Sequence, residues 1–244
     1  MMRASTWKAL LWREQSLAKK QMLINTVLFA AGVLLGLLVL LSFRIGNLRS
    51  LEEPEMRGMI EAMVLFYPSI AALGYLFALV EGAAVKDEGI GWRRFRRTTP
   101  IPPVCYALVN YSLLLFWFVV GILLSLCYLA VTFLLSGRTM DANVLGGVAT
   151  VAIVILVFTV VLQLLTMLYH SLDKAGFTLM AVFGGCWVYF VSTTPPTEGD
   201  LPADLVGYVF DKIAGFLPVA AVIGIVTYAA GFLGMTLLLQ RREK

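Results

Sequence analysis

Long runs of apolar residues occupy most of this chain, and they restrict the folds that are open to it. Six runs of about 20 residues or more lie at positions 22–43, 60–80, 104–135, 144–169, 176–194 and 213–239. A helix needs about 20 mostly apolar residues to cross the hydrocarbon core of a bilayer. Since lipid offers no hydrogen-bond partners, such a segment must satisfy its backbone polar groups as an α-helix. The sequence therefore predicts an all-α integral membrane protein with six transmembrane helices, in a single domain over residues 1–244.

The composition rules out an ordinary soluble domain. Hydrophobic residues make up 60% of the chain and charged residues 14%, whereas soluble domains average about 45–50% and about 25%. A soluble globule of 244 residues could not bury so much apolar surface. The net charge of +4 would suit a nucleic-acid partner, but the basic residues lie in the segments next to the apolar runs. We therefore expect the lipid bilayer, and no nucleic acid, to surround the chain.

The 19 Lys and Arg residues are divided unequally between the two sides of the predicted bundle. Fourteen lie before the first run, between the second and third, between the fourth and fifth, or after the sixth, and five lie in the other connections. Connections rich in Lys and Arg stay on the cytoplasmic side of a membrane. This asymmetry predicts cytoplasmic N and C termini.

Residues 6–21 have an amphipathic pattern before the first run. The basic residues fall mostly on one side, and the residues that recur at helical spacing on the other side are Trp7, Leu10, Leu11, Leu17 and Ala18. A basic amphipathic helix with tryptophan is typical of the membrane interface, where it meets anionic headgroups. We therefore predict an N-terminal interfacial amphipathic helix, and a simple cytoplasmic extension is the alternative.

The connection at residues 195–218, on the predicted outer side, is divided by prolines. Pro195 and Pro196 end the fifth helix, and Pro202 suits the first turn of a short new helix. That helix would have an apolar stripe and an acidic opposite face. The pattern predicts an external re-entrant connection that dips into the outer leaflet, and an ordinary surface helix is the alternative.

The connection between the second and third runs contains the most distinctive motif. It reads Lys-Asp-Glu at 86–88, Gly-Trp-Arg-Arg-Phe-Arg-Arg at 91–97 and Thr-Thr-Pro-Ile-Pro-Pro at 98–103. A positive-inside anchor would explain the arginines, but it would not explain Trp92 and Phe95 among them. Arginine and aromatic side chains together are typical of protein-binding surfaces. We therefore predict that this loop docks onto a partner protein.

With these features the chain resembles the membrane (permease) subunit of a type-2 ABC exporter. The likeness is greatest to the small bacterial permeases that export peptide toxins and phenol-soluble modulins. The layout is similar over nearly the whole chain, and residues 86–103 are similar at the level of the motif. The resemblance implies a cytoplasmic coupling helix at 86–99 that contacts the ATPase subunit through Asp87, Glu88, Trp92, Arg93, Arg94, Phe95, Arg96 and Arg97.

The resemblance also implies the partners and the activity. Two copies of a cytoplasmic ABC ATPase would bind a pair of permeases, formed with a second copy of this chain or with a related paralogue. The pair would lie in the bacterial cytoplasmic membrane and export a hydrophobic or amphipathic substrate by alternating access, with peptides as one candidate class. ATP and Mg²⁺ would bind to the ATPase.

Residues suited to chemistry are few, which agrees with a subunit that is not itself an enzyme. The phosphate-binding pattern G-x-x-x-x-G-K-[ST] does not occur in the sequence, so no nucleotide cofactor is expected in this chain. With one histidine, and with three cysteines that fall in apolar runs, no metal site is expected either. The runs are also nearly free of ionisable residues, which are the usual mark of ion-coupled transport.

Four glycines are predicted at a dimer interface. Gly32 and Gly36 form a G-x-x-x-G pattern, which permits close approach of helices. Gly184 and Gly185 form a second patch of small residues in the fifth run. The resembled family packs its first and fifth helices across the dimer, and this would bring the two patches together.

The second run contains a proline, Pro68, that should kink its helix. Tyr67 lies beside the kink, and Glu61 lies two turns further toward the outer end. We predict that the face with these three residues lines the translocation path.

Two other classes of protein stay open. A non-transport membrane protein that binds a partner, such as an immunity protein, would also use a docking loop. The residues Glu52-Glu53-Pro-Glu-Met-Arg57 match the E-E-x-x-x-R signature of membrane-embedded CAAX-type proteases. Such an enzyme needs histidines within the bilayer, and the single histidine, His170, is predicted on the opposite, cytoplasmic side. An intramembrane protease is therefore the least favoured class.

Overall fold

The computed structural model describes residues 4–45, 60, 64, 74–80, 101–136, 141–169, 171–193 and 211–241. Five long helices lie within these ranges: α1 (Ala4–Ile45), α2 (Pro103–Ser136), α3 (Ala142–Tyr169), α4 (Leu172–Thr193) and α5 (Leu217–Arg241). Residues 60, 64, 75–80 and 211–215 are helical as well. The described part contains no β-strand, so the predicted all-α class is confirmed for it.

Four of the helices, α1, α2, α3 and α5, are long and apolar enough to cross a membrane. The protein is therefore a multi-pass membrane protein, as the apolar runs predict. α4 largely coincides with the predicted fifth run, and most described residues of the predicted second run are helical. The number of six spans and the cytoplasmic position of the termini stay predictions.

Local signals in the sequence explain where the helices begin. Pro103 opens α2, and proline suits this position because the N–H that it lacks would have no helical partner there. Ser171 precedes α4 and caps it, since its Oγ accepts a hydrogen bond from the backbone N–H of Lys174 at 3.4 Å. At the start of α3, the backbone N–H of Val144 donates to the carbonyl of Asp141 at 3.1 Å.

α1 is a single helix of 42 residues, about 63 Å long. The sequence predicts two segments here, an interfacial helix at 6–21 and a span at 22–43, but the helix has no break between them. No Gly or Pro occurs between positions 6 and 31 to interrupt it. Leu10 and Ala18 of the predicted apolar face are buried, and they pack against protein. An interfacial position for the segment stays a prediction.

α2 and α3 lie at the centre of the described bundle, because α2 packs against α1, α3 and α5, and α3 packs against α2, α4 and α5. α3 has its most extensive contact with α5, and it also packs against α4, which begins at Leu172. The largest apolar cluster joins α1, α2, α3 and α5 and includes Leu10, Leu114, Val160 and Leu239. The core of the described part therefore lies around α2 and α3, with α1 and α4 at the edges.

Glycines bring α5 close to its neighbours. A Cβ atom at Gly224 would lie 2.6 Å from Cγ2 of Ile153 on α3. A Cβ atom at Gly231 would clash with the Tyr111 hydroxyl on α2 and with Val160 on α3. Small residues permit this close packing between membrane helices, whose association depends on van der Waals contact more than on the hydrophobic effect. α2, α3 and α5 thus form a tightly packed unit.

Candidate functional site

One end of the bundle brings together segments that are far apart in sequence. Leu10 near the start of α1, Tyr106 near the start of α2 and Leu239 near the end of α5 belong to one apolar cluster. Val80 belongs to another cluster with Ala175, near the start of α4. We call this the N-terminal end of the bundle, because α1 begins there.

The described basic residues are concentrated at the N-terminal end. The residues described at this end include two acids, Glu14 and Asp173, and six basic residues: Lys8, Arg13, Lys19, Lys20, Lys174 and Arg241. The Arg13 guanidinium forms an ion pair with Glu14, and both side chains are largely shielded from solvent. The charged side chains described near the opposite end are those of Asp141, Asp211 and Lys212. Basic residues mark the cytoplasmic face of membrane proteins, so the N-terminal end has the charge expected of that face.

The predicted coupling helix at 86–99 lies outside the described residues. The same is true of all eight side chains assigned to ATPase contact: Asp87, Glu88, Trp92, Arg93, Arg94, Phe95, Arg96 and Arg97. The described flanks of this loop are Val80 and Ile101, and both pack in clusters at the N-terminal end. The two attachment points of the loop therefore lie at the end with the basic residues.

Several other predicted positions also fall outside the described residues. They include the pathway residues Glu61, Tyr67 and Pro68, and Glu52, Arg57 and His170 of the protease alternative. The re-entrant connection at 195–218 is described only from residue 211, where it is helical up to residue 215. These assignments stay predictions.

The described end of the second run is held between α1 and α2. Asn25 donates a side-chain hydrogen bond to the backbone carbonyl of Gly74 at 2.8 Å, and the hydroxyls of Thr26 and Tyr75 lie 2.8 Å apart. The Tyr75 ring stacks on that of Trp117 on α2, with the ring centroids 5.2 Å apart. Sequence reasoning missed this contact, although two adjacent polar residues in an apolar run, Asn25 and Thr26, were an available signal.

Gly36 packs inside the subunit. A Cβ atom there would clash with the hydroxyl of Tyr128 on α2 and would lie 3.3 Å from Cγ1 of Val64. The same hydroxyl donates a hydrogen bond to the backbone carbonyl of Val64 at 2.7 Å. Gly36, Tyr128 and Val64 therefore join α1, α2 and the second run, and Gly32 is buried one turn before Gly36.

The glycine patch of α4 is in a different environment. Gly184 is exposed, and a Cβ atom there would meet no atom of the described residues within 4 Å. Gly185 follows it in the same helix. The structure thus brings Gly36 into an internal contact, whereas no described residue covers α4 at Gly184. The dimer seam that we predict from Gly32, Gly36, Gly184 and Gly185 stays a prediction.

A buried hydrogen bond links α2 and α3 within their apolar stretches. Gln163 Nε2 donates to Asn110 Oδ1 at 2.6 Å, and Asn110 and Gln163 are only 5% and 4% exposed. Gln163 Oε1 and the Tyr111 hydroxyl are also buried, and neither has a hydrogen-bond partner among the described residues. Tyr228 of α5 donates to the backbone carbonyl of Tyr111 at 2.8 Å. Polar contacts therefore connect all three helices, and we call these four residues the polar layer.

Sequence reasoning missed the polar layer. Asn110 and Gln163 are each the only carboxamide side chain in their apolar runs, and this was the available signal. Polar side chains in membrane helices commonly hydrogen-bond to another helix. Their pairing was not predictable from spacing, because it joins residues 53 positions apart.

The described ranges contain no group of three or more His, Cys, Asp or Glu side chains that could hold a metal ion. They contain instead a basic end, a buried polar layer and exposed apolar faces, which suit helix packing and contact with partners. Comparison with known proteins gives no assignment, since no family model, no curated protein and no solved structure matches the chain significantly.

Proposed function

We propose that this chain is the membrane subunit of an ATP-driven ABC exporter in the bacterial cytoplasmic membrane. The observation that carries the proposal is the attachment of the loop at 81–100, whose flanks Val80 and Ile101 pack at the basic N-terminal end. The loop contains Trp92 and Phe95 among four arginines, a set of side chains suited to binding a protein. An ATPase subunit bound to this loop would approach from the cytoplasm.

In three of the described spans, α2, α3 and α5, the apolar stretch has no charged group that would couple transport to an ion gradient. α2 and α3 contain no Asp, Glu, Lys or Arg, and α5 contains only Arg241, its last residue. Intramembrane ionisable residues are the usual mark of proton or ion coupling. The sequence also lacks the phosphate-binding pattern of an ATPase. The energy for export would therefore come from ATP that a partner chain hydrolyses.

The helices at the edges of the bundle leave apolar surfaces for a second permease. On α4, Phe177 and Met180 are 79% and 70% exposed, and Gly184 lies on the same side of the helix. On α1, Leu34 and Leu35 are exposed. A cavity between two such subunits would be mostly apolar, which supports a hydrophobic or amphipathic substrate, with peptides as one candidate class.

Gentle purification of the full-length chain from its own membranes tests the proposal. We expect an ATPase with the G-x-x-x-x-G-K-[ST] pattern to co-purify in equal molar amount, and we expect the complex to hydrolyse ATP. A folded, membrane-inserted chain that purifies without any ATPase would contradict the proposal. That outcome would favour a non-transport membrane protein that binds another partner.

A further inference from the structure

An apolar groove lies on the outside of the unit formed by α2, α3 and α5. Its volume is about 440 Å³, within the range of about 300–1,000 Å³ that is typical of pockets for small ligands. Leu156 and Gly224 are buried at its floor, whereas Leu115, Ile225 and Ala229 are exposed at its rim. Within the described part of the chain, the groove is therefore open along one side.

The chemistry of the lining favours a hydrocarbon ligand. Among the described lining residues, Tyr228 alone has a polar side-chain atom, and its hydroxyl already donates to the backbone carbonyl of Tyr111. A charged or hydrogen-bonding ligand would lose its hydration in this groove without a polar partner in return. A saturated or unsaturated acyl chain has no polar group whose hydration would be lost in the groove.

The groove lies at the depth of the hydrocarbon core. Leu115 and Ile153 are near the midpoints of α2 and α3, and the lining on α5 extends from Ala221 to Ala229. This stretch of α5 is about 12 Å long at a rise of about 1.5 Å per residue. One leaflet contributes half of the ~30 Å hydrocarbon core, so the groove is nearly as long as one leaflet is thick. At this depth, the acyl chains of lipids surround a membrane protein.

We propose that this groove holds one acyl chain of a membrane phospholipid. The acyl chain would contact α2, α3 and α5 at once, whereas the convex surface of a single helix touches a lipid on one side only. The gain comes from van der Waals packing, since lipid tails are as apolar as the side chains that they meet. The surfaces proposed above for a second permease lie on α1 and α4, so they leave the groove free. The inference uses only the membrane-spanning helices and does not depend on the exporter proposal.

Photolabelling with a phosphatidylcholine that has a diazirine in the middle of an acyl chain tests this inference. The full-length chain is reconstituted without any ATPase in phosphatidylcholine vesicles that contain the probe, and labelled residues are identified by mass spectrometry. Ile225 is compared with Val222 and Val226, which are similarly exposed on α5 (73%, 62% and 61%) but do not line the groove. We expect labelling of Ile225 to exceed that of the two valines by about threefold or more.

Two adjacent alanines provide a matched pair of variants. Ala229→Phe would fill the groove, whereas Ala230 is exposed and does not line it, so Ala230→Phe changes only the outer surface. We expect the excess label on Ile225 to disappear in Ala229→Phe and to persist in Ala230→Phe. If Ala229→Phe does not fold, the smaller change Ala229→Leu replaces it.

The wild-type comparison decides the inference even without the variants. Equal labelling of Ile225, Val222 and Val226 would overturn it, because it would show ordinary contact with bulk lipid. Weaker labelling of Ile225 would also overturn it, because it would show that protein covers the groove. An excess on Ile225 that persists in a folded Ala229→Phe variant would show that the label does not report the groove.

Discussion

Gln163 on α3 donates a hydrogen bond of 2.6 Å to Asn110 on α2, and both residues lie within the apolar stretches of their helices. Apolar faces of membrane helices resemble one another, so apolar packing alone distinguishes poorly between alternative rotations of a helix. A single polar contact between two helices does distinguish them, because a wrong rotation would leave the polar group without a partner in hydrocarbon. The hydrogen bond from Tyr228 to the Tyr111 carbonyl distinguishes alternative rotations of α5 in the same way. The polar layer therefore specifies how these three helices meet.

Substitution of either carboxamide should destabilise the protein. Gln163→Leu leaves Asn110 Oδ1 without its donor, and Asn110→Leu leaves Gln163 Nε2 without its acceptor. We expect each variant to lower the free energy of unfolding by about 1 kcal/mol in mild detergent. In the double variant, the loss of unfolding free energy should be smaller than the sum of the losses in the two single variants. Gln240→Leu, at an exposed position, is the control. Additive losses in the double variant would show that Asn110 and Gln163 do not interact.

Gly36→Ala should destabilise the isolated subunit, because the new methyl group meets the Tyr128 hydroxyl and Val64. We expect a loss of about 1–3 kcal/mol in the free energy of unfolding. Tyr128→Phe removes the hydroxyl and should restore part of this loss in the double variant. Gly184→Ala is the control, since its Cβ atom meets no described atom. Equal losses for Gly36→Ala and Gly184→Ala would refute the internal packing of Gly36.

Two glycines of α5 provide a similar comparison. Gly231→Ala should destabilise the protein by about 1–3 kcal/mol, because its Cβ atom clashes with Tyr111 and Val160. Gly234→Ala should be neutral or stabilising, since its Cβ atom lies an ordinary 3.4 Å from Leu164 and alanine favours a helix by about 1 kcal/mol. Thermal unfolding of the two purified variants measures the difference. A stable Gly231→Ala variant would be incompatible with the close approach of α2, α3 and α5.

Labelling of single cysteines tests the predicted topology. Lys8→Cys and Asp211→Cys are introduced into a chain without Cys105, Cys127 and Cys186. An impermeant maleimide added to intact cells should label Asp211→Cys, and it should label Lys8→Cys only after the cells are permeabilised. This expectation follows from the concentration of basic residues at the N-terminal end of the bundle. The reverse labelling pattern would contradict it.

Helix positions were predictable from the sequence because they depend on local properties. The runs at 104–135, 144–169 and 213–239 agree closely with α2, α3 and α5. Length and apolarity are enough to define a segment that crosses a membrane, and prolines or polar residues mark its ends.

Contacts between helices were not predictable in the same way. The G-x-x-x-G pattern at Gly32 and Gly36 indicates a close contact but does not say with which helix, and the structure gives Gly36 an internal partner, Tyr128. The apolar face of residues 6–21 has the same sequence pattern whether it meets lipid or protein, and here Leu10 packs against other helices. Both outcomes depend on residues far away in the chain.

We propose that the loop with Trp92 and Phe95 binds an ATPase. We expect Trp92→Ala combined with Phe95→Ala to weaken ATPase binding about thirtyfold, since loss of buried interfacial aromatics typically costs about 2 kcal/mol or more. Arg93→Ala combined with Arg94→Ala should have a smaller effect that depends on salt, because charges at a solvated rim contribute less to affinity. If the loop were only a positive anchor, this order would be reversed.

A quantitative pull-down measures this binding most directly. It uses the ATPase that co-purifies with the wild-type chain, and it compares both double variants after their insertion and topology have been checked. We expect a large loss of ATPase binding in the aromatic variant and a smaller, salt-dependent loss in the arginine variant. Unchanged ATPase binding by a correctly inserted aromatic variant would contradict it.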